Sequence, residues 1–287
     1  MTDLIGVDAE PDNAAELAAR HGFEGLDLRL NKYDDWLSAY GIDRFANLMG
    51  ELGLLSGYTS IMSRTLSVGD EEWRQAIDNL PRRARIAESL GFTRAGVVVL
   101  PFDDERDAAA NHRRHVRRLR EAAPILADHG IHLGLEYIGP KTRREGHTHP
   151  FIHTMKGMLH LIDDAGHANI GLMLDTLHWH CATETSEDIE ALDHQQVVVV
   201  HLCDGLPDRS NDEQTVTERL LPRESGVFDN DTFVGAIRKI GYSGPMTAEP
   251  TSQRWQSMEA DEAVSMTAAA VRKTLGLDPI PLPQQQT

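Results

Sequence analysis

Short apolar runs alternate with longer amphipathic segments along the whole chain. The clearest run is the stretch of four valines at 197–200, which is typical of a strand buried on both faces. The run stops at His201, and Asp204 follows three residues later. Because ligands collect at the carboxyl ends of parallel strands, we expect these polar side chains to lie where chemistry takes place.

The pattern predicts eight strands with about as many helices between them. The predicted strands cover 4–8, 25–30, 54–60, 95–100, 131–137, 170–175, 197–202 and 246–249. The predicted helices cover 13–20, 35–52, 71–90, 104–129, 151–165, 187–192, 231–240 and 259–275, with kinks or restarts at Pro81 and Pro124. Residues 1–276 are therefore predicted to form an α/β fold, a single-domain (β/α)8 TIM barrel. The Pro- and Gln-rich residues 277–287 are predicted to be an arm or a disordered tail.

The main rival to a barrel is a doubly wound open sheet. Such a sheet usually carries a Gly-rich phosphate turn after its first strand. Here residues 8–11 read Asp-Ala-Glu-Pro, which is not a turn of that kind. The barrel is therefore the favoured fold.

Composition excludes several functional classes. The 287 residues carry a formal net charge of −17, which argues against a nucleic-acid partner because phosphate binding needs a basic face. No stretch approaches the length of a membrane helix and no secretory leader is recognisable, so we expect no membrane partner. With two cysteines there is no disulfide framework, and a cytoplasmic location is predicted.

The last four predicted strands share a feature at their carboxyl ends. Each delivers one oxygen or imidazole donor, namely Glu136, Asp175, His201 and Glu249 in chain order. In a barrel these ends converge on one mouth. Two glutamates, an aspartate and a histidine suit a divalent ion, with Mn²⁺ favoured, Mg²⁺ or Co²⁺ next and Zn²⁺ less favoured.

Each of these residues also has an ordinary structural interpretation. A single glutamate in a strand is usually paired or solvated, and a single histidine is usually a satisfied core or rim residue. Four unpaired polar groups facing one mouth of low dielectric would cost several kcal/mol, and a metal compensates them directly. The set as a whole therefore favours a metal site.

Four short motifs resemble the strand ends of the xylose isomerase-like barrels, a superfamily of sugar isomerases, ketose 3-epimerases, inosose dehydratases and endonuclease IV. They are Gly-Leu-Glu-Tyr at 134–137, Leu-Asp-Thr-Leu-His at 174–178, Val-His-Leu-Cys-Asp at 200–204 and Thr-Ala-Glu-Pro at 247–250. The resemblance implies that the four donors bind the metal, and that His178 and Arg219 contact the substrate. Lys141 is also predicted to reach the substrate from a loop at the barrel mouth. Asp204 is predicted to lie at the rim of the site and to belong to the substrate-binding residues as well.

The chemistry of such a site fits this resemblance. A metal bound by a carbonyl and its neighbouring hydroxyl acidifies the carbon between them and stabilises an enediolate. Glu136 and Glu249, predicted on opposite sides of the mouth, could exchange the proton of that carbon on either face. The predicted function is a metal-dependent isomerase or epimerase of a keto-sugar or polyol.

Two departures from the family narrow this prediction. Ketose 3-epimerases carry a second glutamate six residues after the first, and this chain has Thr142 there. The extra histidines of endonuclease IV are also missing, since Arg29 and Tyr58 occupy those regions. Two further hypotheses stay open: a lyase that starts with the same proton abstraction, and a non-catalytic sugar-binding barrel or partner subunit. Assembly into a homo-oligomer is expected from the resemblance alone.

Overall fold

The protein, described here from a computed structural model, is structured as a barrel over residues 5–62 and 65–278. Among these described residues, seven parallel strands form one curved sheet in the order β1-β2-β3-β5-β7-β8-β9. Their bounds are Gly25–Leu28 (β1), Leu55–Thr59 (β2), Arg94–Val99 (β3), His132–Tyr137 (β5), Ile170–Asp175 (β7), Val197–Leu202 (β8) and Met246–Ala248 (β9). Two short strands, Phe102–Asp103 (β4) and His149–Pro150 (β6), pair antiparallel outside this sheet.

Helices follow the strands along the chain and surround the sheet. They are Pro11–Arg20 (α1), Asp34–Tyr40 (α2), Ile42–Glu51 (α3), Asp70–Ser89 (α4), Ala108–Ala127 (α5), Met155–Ala165 (α6), Thr176–Cys181 (α7), Ser186–Glu190 (α8), Asn230–Lys239 (α9), Gln253–Gln256 (α10) and Ala260–Thr274 (α11). One hydrophobic core extends from Ile5 to Val264. This arrangement confirms the predicted single-domain TIM barrel. Within the described ranges, none of the helices combines the length and the apolar character that a bilayer crossing requires.

The valine strand lies at the centre of the second half of the sheet, as its sequence predicts. All six residues of β8 are buried. In the parallel register, His201 lies beside Asp175 of β7 on one side and beside Thr247 of β9 on the other. This register brings the polar residues at the ends of three neighbouring strands to the same height.

The predicted first strand at 4–8 is wrong for the part of it that is described, residues 5–8. Ile5 and Val7 are buried, but the chain turns there and pairs with no strand. The open side of the sheet is instead bridged by a side chain, because the Thr247 hydroxyl on β9 donates a 2.7 Å hydrogen bond to Asp27 on β1. Burial of that apolar run therefore reflects core packing and not strand formation.

Two predicted helices also differ from those observed. The helix expected over 35–52 is divided into α2 and α3 at Gly41, whose φ of 100° is a conformation that L-residues with a side chain rarely adopt. In contrast, the helices expected to kink or restart at Pro81 and Pro124 run through both prolines as α4 and α5. The tail at 277–287 is described only for Leu277 and Asp278, and the rest of that prediction lies outside the described residues.

Candidate metal centre

The four side chains predicted as metal ligands meet at the carboxyl end of the sheet. Glu136 is on β5, Asp175 ends β7, His201 is on β8 and Glu249 directly follows β9. One donor atom from each lies within 4.8 Å of the corresponding atoms of the other three. The structure thus places together residues that are up to 113 positions apart in the chain.

The donor atoms of this cluster are buried but poorly satisfied. His201 Nδ1 lies 2.9 Å from Glu249 Oε2 and 3.5 Å from Glu136 Oε1. Within the described part of the chain, Glu136 Oε1 and both ring nitrogens of His201 have no hydrogen-bond partner of acceptable geometry. Because buried polar atoms without partners cost free energy, this arrangement suits an ion that accepts lone pairs from several directions.

The charge balance of the cluster also favours a bound cation. Its three carboxylates contribute three negative charges, and Arg219 packs against two of them with one positive charge. Burial would lower the pKa of His201, but Glu249 and Glu136 outweigh it and raise that pKa to about 10. When an ion displaces the imidazolium proton, two negative charges remain uncompensated in this buried setting. A divalent cation neutralises this remainder, so the donor set fits such an ion.

Arg219 is fixed against the cluster from the long loop between β8 and α9. Its guanidinium lies 2.9 Å from Asp175 Oδ2 and 3.3 Å from Glu249 Oε1. Thr251, which sequence reasoning missed, orients it by accepting a 2.8 Å hydrogen bond from Nε at its hydroxyl. Burial alone would raise the pKa of Glu249, but Arg219 and His201 outweigh it and lower that pKa well below its usual range.

Asp175 is oriented by the turn that starts α7. Its Oδ1 accepts a 2.6 Å hydrogen bond from the backbone N–H of Leu177 and a weak one from Cys203 Sγ at 3.6 Å. The hydroxyl of Thr176 in turn accepts from the Cys203 N–H at 2.9 Å. These contacts fix the direction of the Asp175 carboxylate before any ligand binds.

His178 lies on α7, close to Glu136. Its Nε2 is 3.8 Å from Glu136 Oε1, and the side chain is almost fully buried. The approach depends on Gly139, since a Cβ there would lie 2.3 Å from the His178 carbonyl oxygen. Burial lowers the pKa of His178 to about 4, against the opposing effect of Glu136, so the ring is neutral near pH 7.

Tyr58 on β2 is a further side chain at the cluster that sequence reasoning did not select. Its ring centroid lies 5.2 Å from that of His201, and the side chain is buried. Burial, with Asp27 adding to it, raises the pKa of the phenol well above its ordinary value, so Tyr58 stays protonated. Its strand, Leu-Ser-Gly-Tyr-Thr, ends in a threonine and not in a carboxylate or an imidazole, the groups that marked the other strand ends.

Lys141 and Asp204 are not part of the cluster. Lys141 is half exposed and pairs with Asp212 at 2.7 Å and Glu145 at 3.7 Å. Asp204 is fully buried and its two oxygens each accept two backbone N–H bonds. The structure therefore shows that Asp204 holds a loop, and substrate contact by Asp204 or by Lys141 stays a prediction.

A partly buried carboxyl, Glu184, lies against Tyr137, the residue that follows Glu136 on β5. It accepts a hydrogen bond from the Tyr137 hydroxyl and another, at 2.5 Å, from the Met155 N–H at the start of α6. Burial raises the pKa of Glu184 to about 7, although both hydrogen bonds oppose this shift. Glu184 therefore connects the segment before α8 to β5 and α6, and it is partly protonated near neutral pH.

This raised pKa predicts a specific dependence of stability on pH. An ordinary glutamate titrates near pH 4.3, so between that pH and about 7 the folded chain binds more protons than the unfolded chain. The free energy of unfolding should therefore fall as pH rises through this window, by up to about 3 kcal/mol from this group. We expect Glu184→Gln to remove that fall, because its carbonyl can accept from Met155 while its amide donates to the Tyr137 oxygen.

Urea denaturation of the wild type, Glu184→Gln and the control Glu190→Gln at pH 5 and pH 8 measures this effect. Glu190 is on the nearby surface and pairs with Lys239. Equal pH dependence in all three proteins would contradict the assignment to Glu184.

Comparison with known proteins places the chain among similar barrels. An inosose isomerase of Bacillus velezensis is 20% identical over 252 residues, which cover 87% of this chain and 86% of that protein. A xylose isomerase domain protein from Alicyclobacillus acidocaldarius superposes with a TM-score of 0.85 at 22% identity over 95% of both chains. The IOLI protein, crystallised with a zinc atom, superposes with a TM-score of 0.80 at 19% identity over 96% of this chain and 95% of its own.

The family itself follows from a match over most of the sequence. The family model described as the xylose isomerase-like TIM barrel matches residues 15–273, a span that contains all four residues of the cluster. The chain belongs to the xylose isomerase-like TIM barrel family.

Proposed function

We propose that this protein is a divalent-metal-dependent isomerase or epimerase of a carbonyl-bearing carbohydrate, with a cyclic keto-polyol of the inosose type as the first candidate substrate. The observation that carries the proposal is the pair Glu136 and Glu249, whose carboxylates approach the same His201 nitrogen at 3.5 and 2.9 Å. An inosose isomerase among the relatives supports the choice of substrate.

The metal would be held by the four-residue cluster of Glu136, Asp175, His201 and Glu249. When bound, a divalent ion there supplies polarisation of the substrate carbonyl and acidifies the neighbouring carbon. The preference for Mn²⁺ rests on the oxygen-rich donor set alone. A zinc atom in the IOLI protein, whose fold is the same, raises Zn²⁺ to an equal candidate.

The protein's own groups would move the proton. Glu136 and Glu249 reach the cluster from strands on either side of β8, so a carbon held between them presents one face to each carboxylate. One carboxylate removes the proton, and its return by the other to the opposite face of the same carbon inverts that centre. Return of the proton to the former carbonyl carbon, with transfer of the hydroxyl proton to the former carbonyl oxygen, relocates the carbonyl instead. If a single carboxylate served both steps, the proton would return to the face it left.

The substrate would be oriented by groups around this pair. The His178 ring is neutral near pH 7, and its Nε2, which lies near Glu136, can hydrogen-bond a substrate hydroxyl. Arg219 keeps its guanidinium beside Asp175 and Glu249 and can donate to a substrate oxygen. Lys141 would reach the substrate only from the exposed loop that carries it, so we rank it below these two.

The runner-up function is a lyase that uses the same two carboxylates. After the shared proton abstraction, a lyase expels a substituent from the next carbon, whereas an isomerase returns the proton.

One observation counts against a free-ketose 3-epimerase. Thr142 occupies the position at which those enzymes carry a glutamate, and its hydroxyl donates a 2.8 Å hydrogen bond to the Gln214 carbonyl.

Incubation in D₂O separates these functions. Protein stripped with a chelator and reloaded with Mn²⁺, Co²⁺, Zn²⁺ or Mg²⁺ is incubated with inososes, keto-sugars and 3-keto-glycosides, and the products are followed by NMR and mass spectrometry. We expect a product of unchanged formula that carries one deuterium next to the carbonyl, formed only after reloading. Loss of water or of an aglycone would establish the lyase instead.

The same experiment tests the non-catalytic alternative. Absence of turnover and of deuterium uptake with every metal and substrate, combined with saturable sugar binding, would favour a binding barrel and contradict the proposal. The stripped protein is the matched control, because it differs from the active form only in the ion.

A further inference from the structure

A second group of metal-binding side chains lies on the outside of the barrel, between α5 and α6. His112 on α5 faces His160 and Asp164, which are one helical turn apart on α6. One donor atom from each of the three lies within 4.8 Å of the others. None of these residues belongs to the mouth cluster or to its supporting contacts.

The distances suit a small tetrahedral ion. Asp164 Oδ2 lies 2.7 Å from His112 Nε2 and 3.7 Å from His160 Nε2. Ligand atoms of a tetrahedral zinc ion with bonds near 2.1 Å are roughly 3.4 Å apart, so the observed distances bracket the required one. The ring centroids of His112 and His160 are 5.2 Å apart, and one nitrogen of each ring lies within 4.8 Å of the other and of an Asp164 oxygen.

A cleft beside this group gives access to an open coordination position. It has a volume of about 690 Å³ and is lined by both histidines and Asp164 together with residues of the loop before α6, including Phe151 and His153. Three protein ligands leave at least one position of a tetrahedral ion for water or an exchangeable ligand. The cleft provides room for that fourth ligand.

The surrounding charges set the strength of the site. Arg113, Arg117 and Arg120 lie close by and oppose a cation. Arg120, however, is committed to the C-terminal end of α6, where it donates to the backbone carbonyls of Asp164 and Ala165. We therefore expect weaker binding than at the mouth, where the uncompensated charge is negative.

We propose that His112, His160 and Asp164 form a second binding site for a zinc-class divalent cation, one that clamps α5 to α6. These two helices precede and follow β5, the strand that carries Glu136. Imidazole and carboxylate ligands from two elements make such an ion a cross-link between them. Because the ion binds only the folded arrangement, the free energy of unfolding rises with the logarithm of the ion concentration once this exceeds the Kd.

Zinc stoichiometry of the full, untagged chain tests the proposal. After chelator stripping, the protein is titrated with zinc chloride, and bound metal is measured by isothermal titration and by elemental analysis after gel filtration. We expect two equivalents in the wild type and one in His160→Ala. The control His194→Ala removes another exposed histidine, which lies beside Asp193, and should keep two equivalents.

The two sites are distinguished in a second background, Asp175→Asn with His201→Ala, which removes two mouth ligands. This variant should retain one equivalent and a zinc-dependent rise in melting temperature, and adding His160→Ala should abolish both. If zinc binding is unchanged by His160→Ala in both backgrounds, the second site is wrong. If zinc fails to bind at the mouth cluster but binds at the outer site, the result contradicts the proposed metal-dependent function and leaves the second site supported.

Discussion

Glu136→Gln is expected to lower turnover by about 10³-fold, the usual size of the loss when a positioned proton-transfer group is removed. Glutamine keeps the shape of the side chain and an oxygen that can face an ion, but it cannot accept a proton near neutral pH. Folding should not suffer, because the substitution removes the charge of one of three carboxylates that lie close together. The expected result is a well-folded protein with little activity.

Measurement of kcat together with metal content for each variant checks this result. Glu105→Gln is the control, since Glu105 is an exposed glutamate that pairs with Arg106 and does not belong to the cluster. A variant with wild-type kcat at full metal occupancy would rule out proton transfer by Glu136. A loss of activity that follows loss of metal in equal proportion would assign Glu136 to metal binding alone.

Hydrogen exchange distinguishes two carboxylates from one. If Glu136 and Glu249 act on opposite faces, each single glutamine variant should still exchange the substrate hydrogen that faces the remaining carboxylate, while interconversion of the two isomers is lost. If one carboxylate serves both faces, its variant should lose exchange and interconversion together. The two patterns are read by NMR in D₂O from the same samples.

Much of the mouth cluster was predictable because it follows from strand ends. A run such as the four valines of β8 marks a buried strand, and the polar residue that follows it must lie at the barrel mouth. Repeating this step for Glu136, Asp175 and Glu249 needs no knowledge of long-range contacts, because the barrel brings equivalent strand ends together. The prediction of the fold and of this convergence therefore depended on periodicity, together with the lack of a Gly-rich turn after the first predicted strand.

The residues that support the cluster were harder to predict from the sequence, because loops and not strands supply their partners. Thr251 orients Arg219 across 32 positions of the chain, and neither residue lies in a periodic segment. Tyr58 follows an ordinary strand pattern and reaches His201 only through the curvature of the sheet. The first predicted strand was wrong for a related reason, since apolar residues such as Ile5 and Val7 are buried by packing without joining the sheet.

Asp204 follows the same strand as His201, but its side chain turns into the protein and is fully buried. Oδ1 accepts from the N–H groups of Gly205 and Phe228 at 2.8 and 2.9 Å. Oδ2 accepts from Ser225 and Gly226 at 2.9 and 2.7 Å. One carboxylate thus holds both ends of the loop between β8 and α9, the loop that carries Arg219.

Asp204→Ala should therefore lower the free energy of unfolding by about 4 kcal/mol, because four N–H groups lose a charged acceptor in a buried position. Asp204→Asn should lower the free energy of unfolding by a comparable amount, since its amide nitrogen would face two N–H donors. Asp208→Ala, an exposed position in the same loop, is the control and should change stability by less than about 0.5 kcal/mol. Urea denaturation of the three variants measures these differences.

Kinetics of the same variants separates the loop role from contact with substrate. Because the Asp204 backbone also pairs with Leu220, next to Arg219, loosening this loop should reduce the order of Arg219 and weaken its contacts with Asp175 and Glu249. We expect Asp204→Ala to lower both the free energy of unfolding and kcat, and Asp204→Asn to lower both in the same way. Wild-type stability combined with a rise in KM alone would instead return Asp204 to the substrate-binding set, since only a side chain that contacts bound substrate would act in that way.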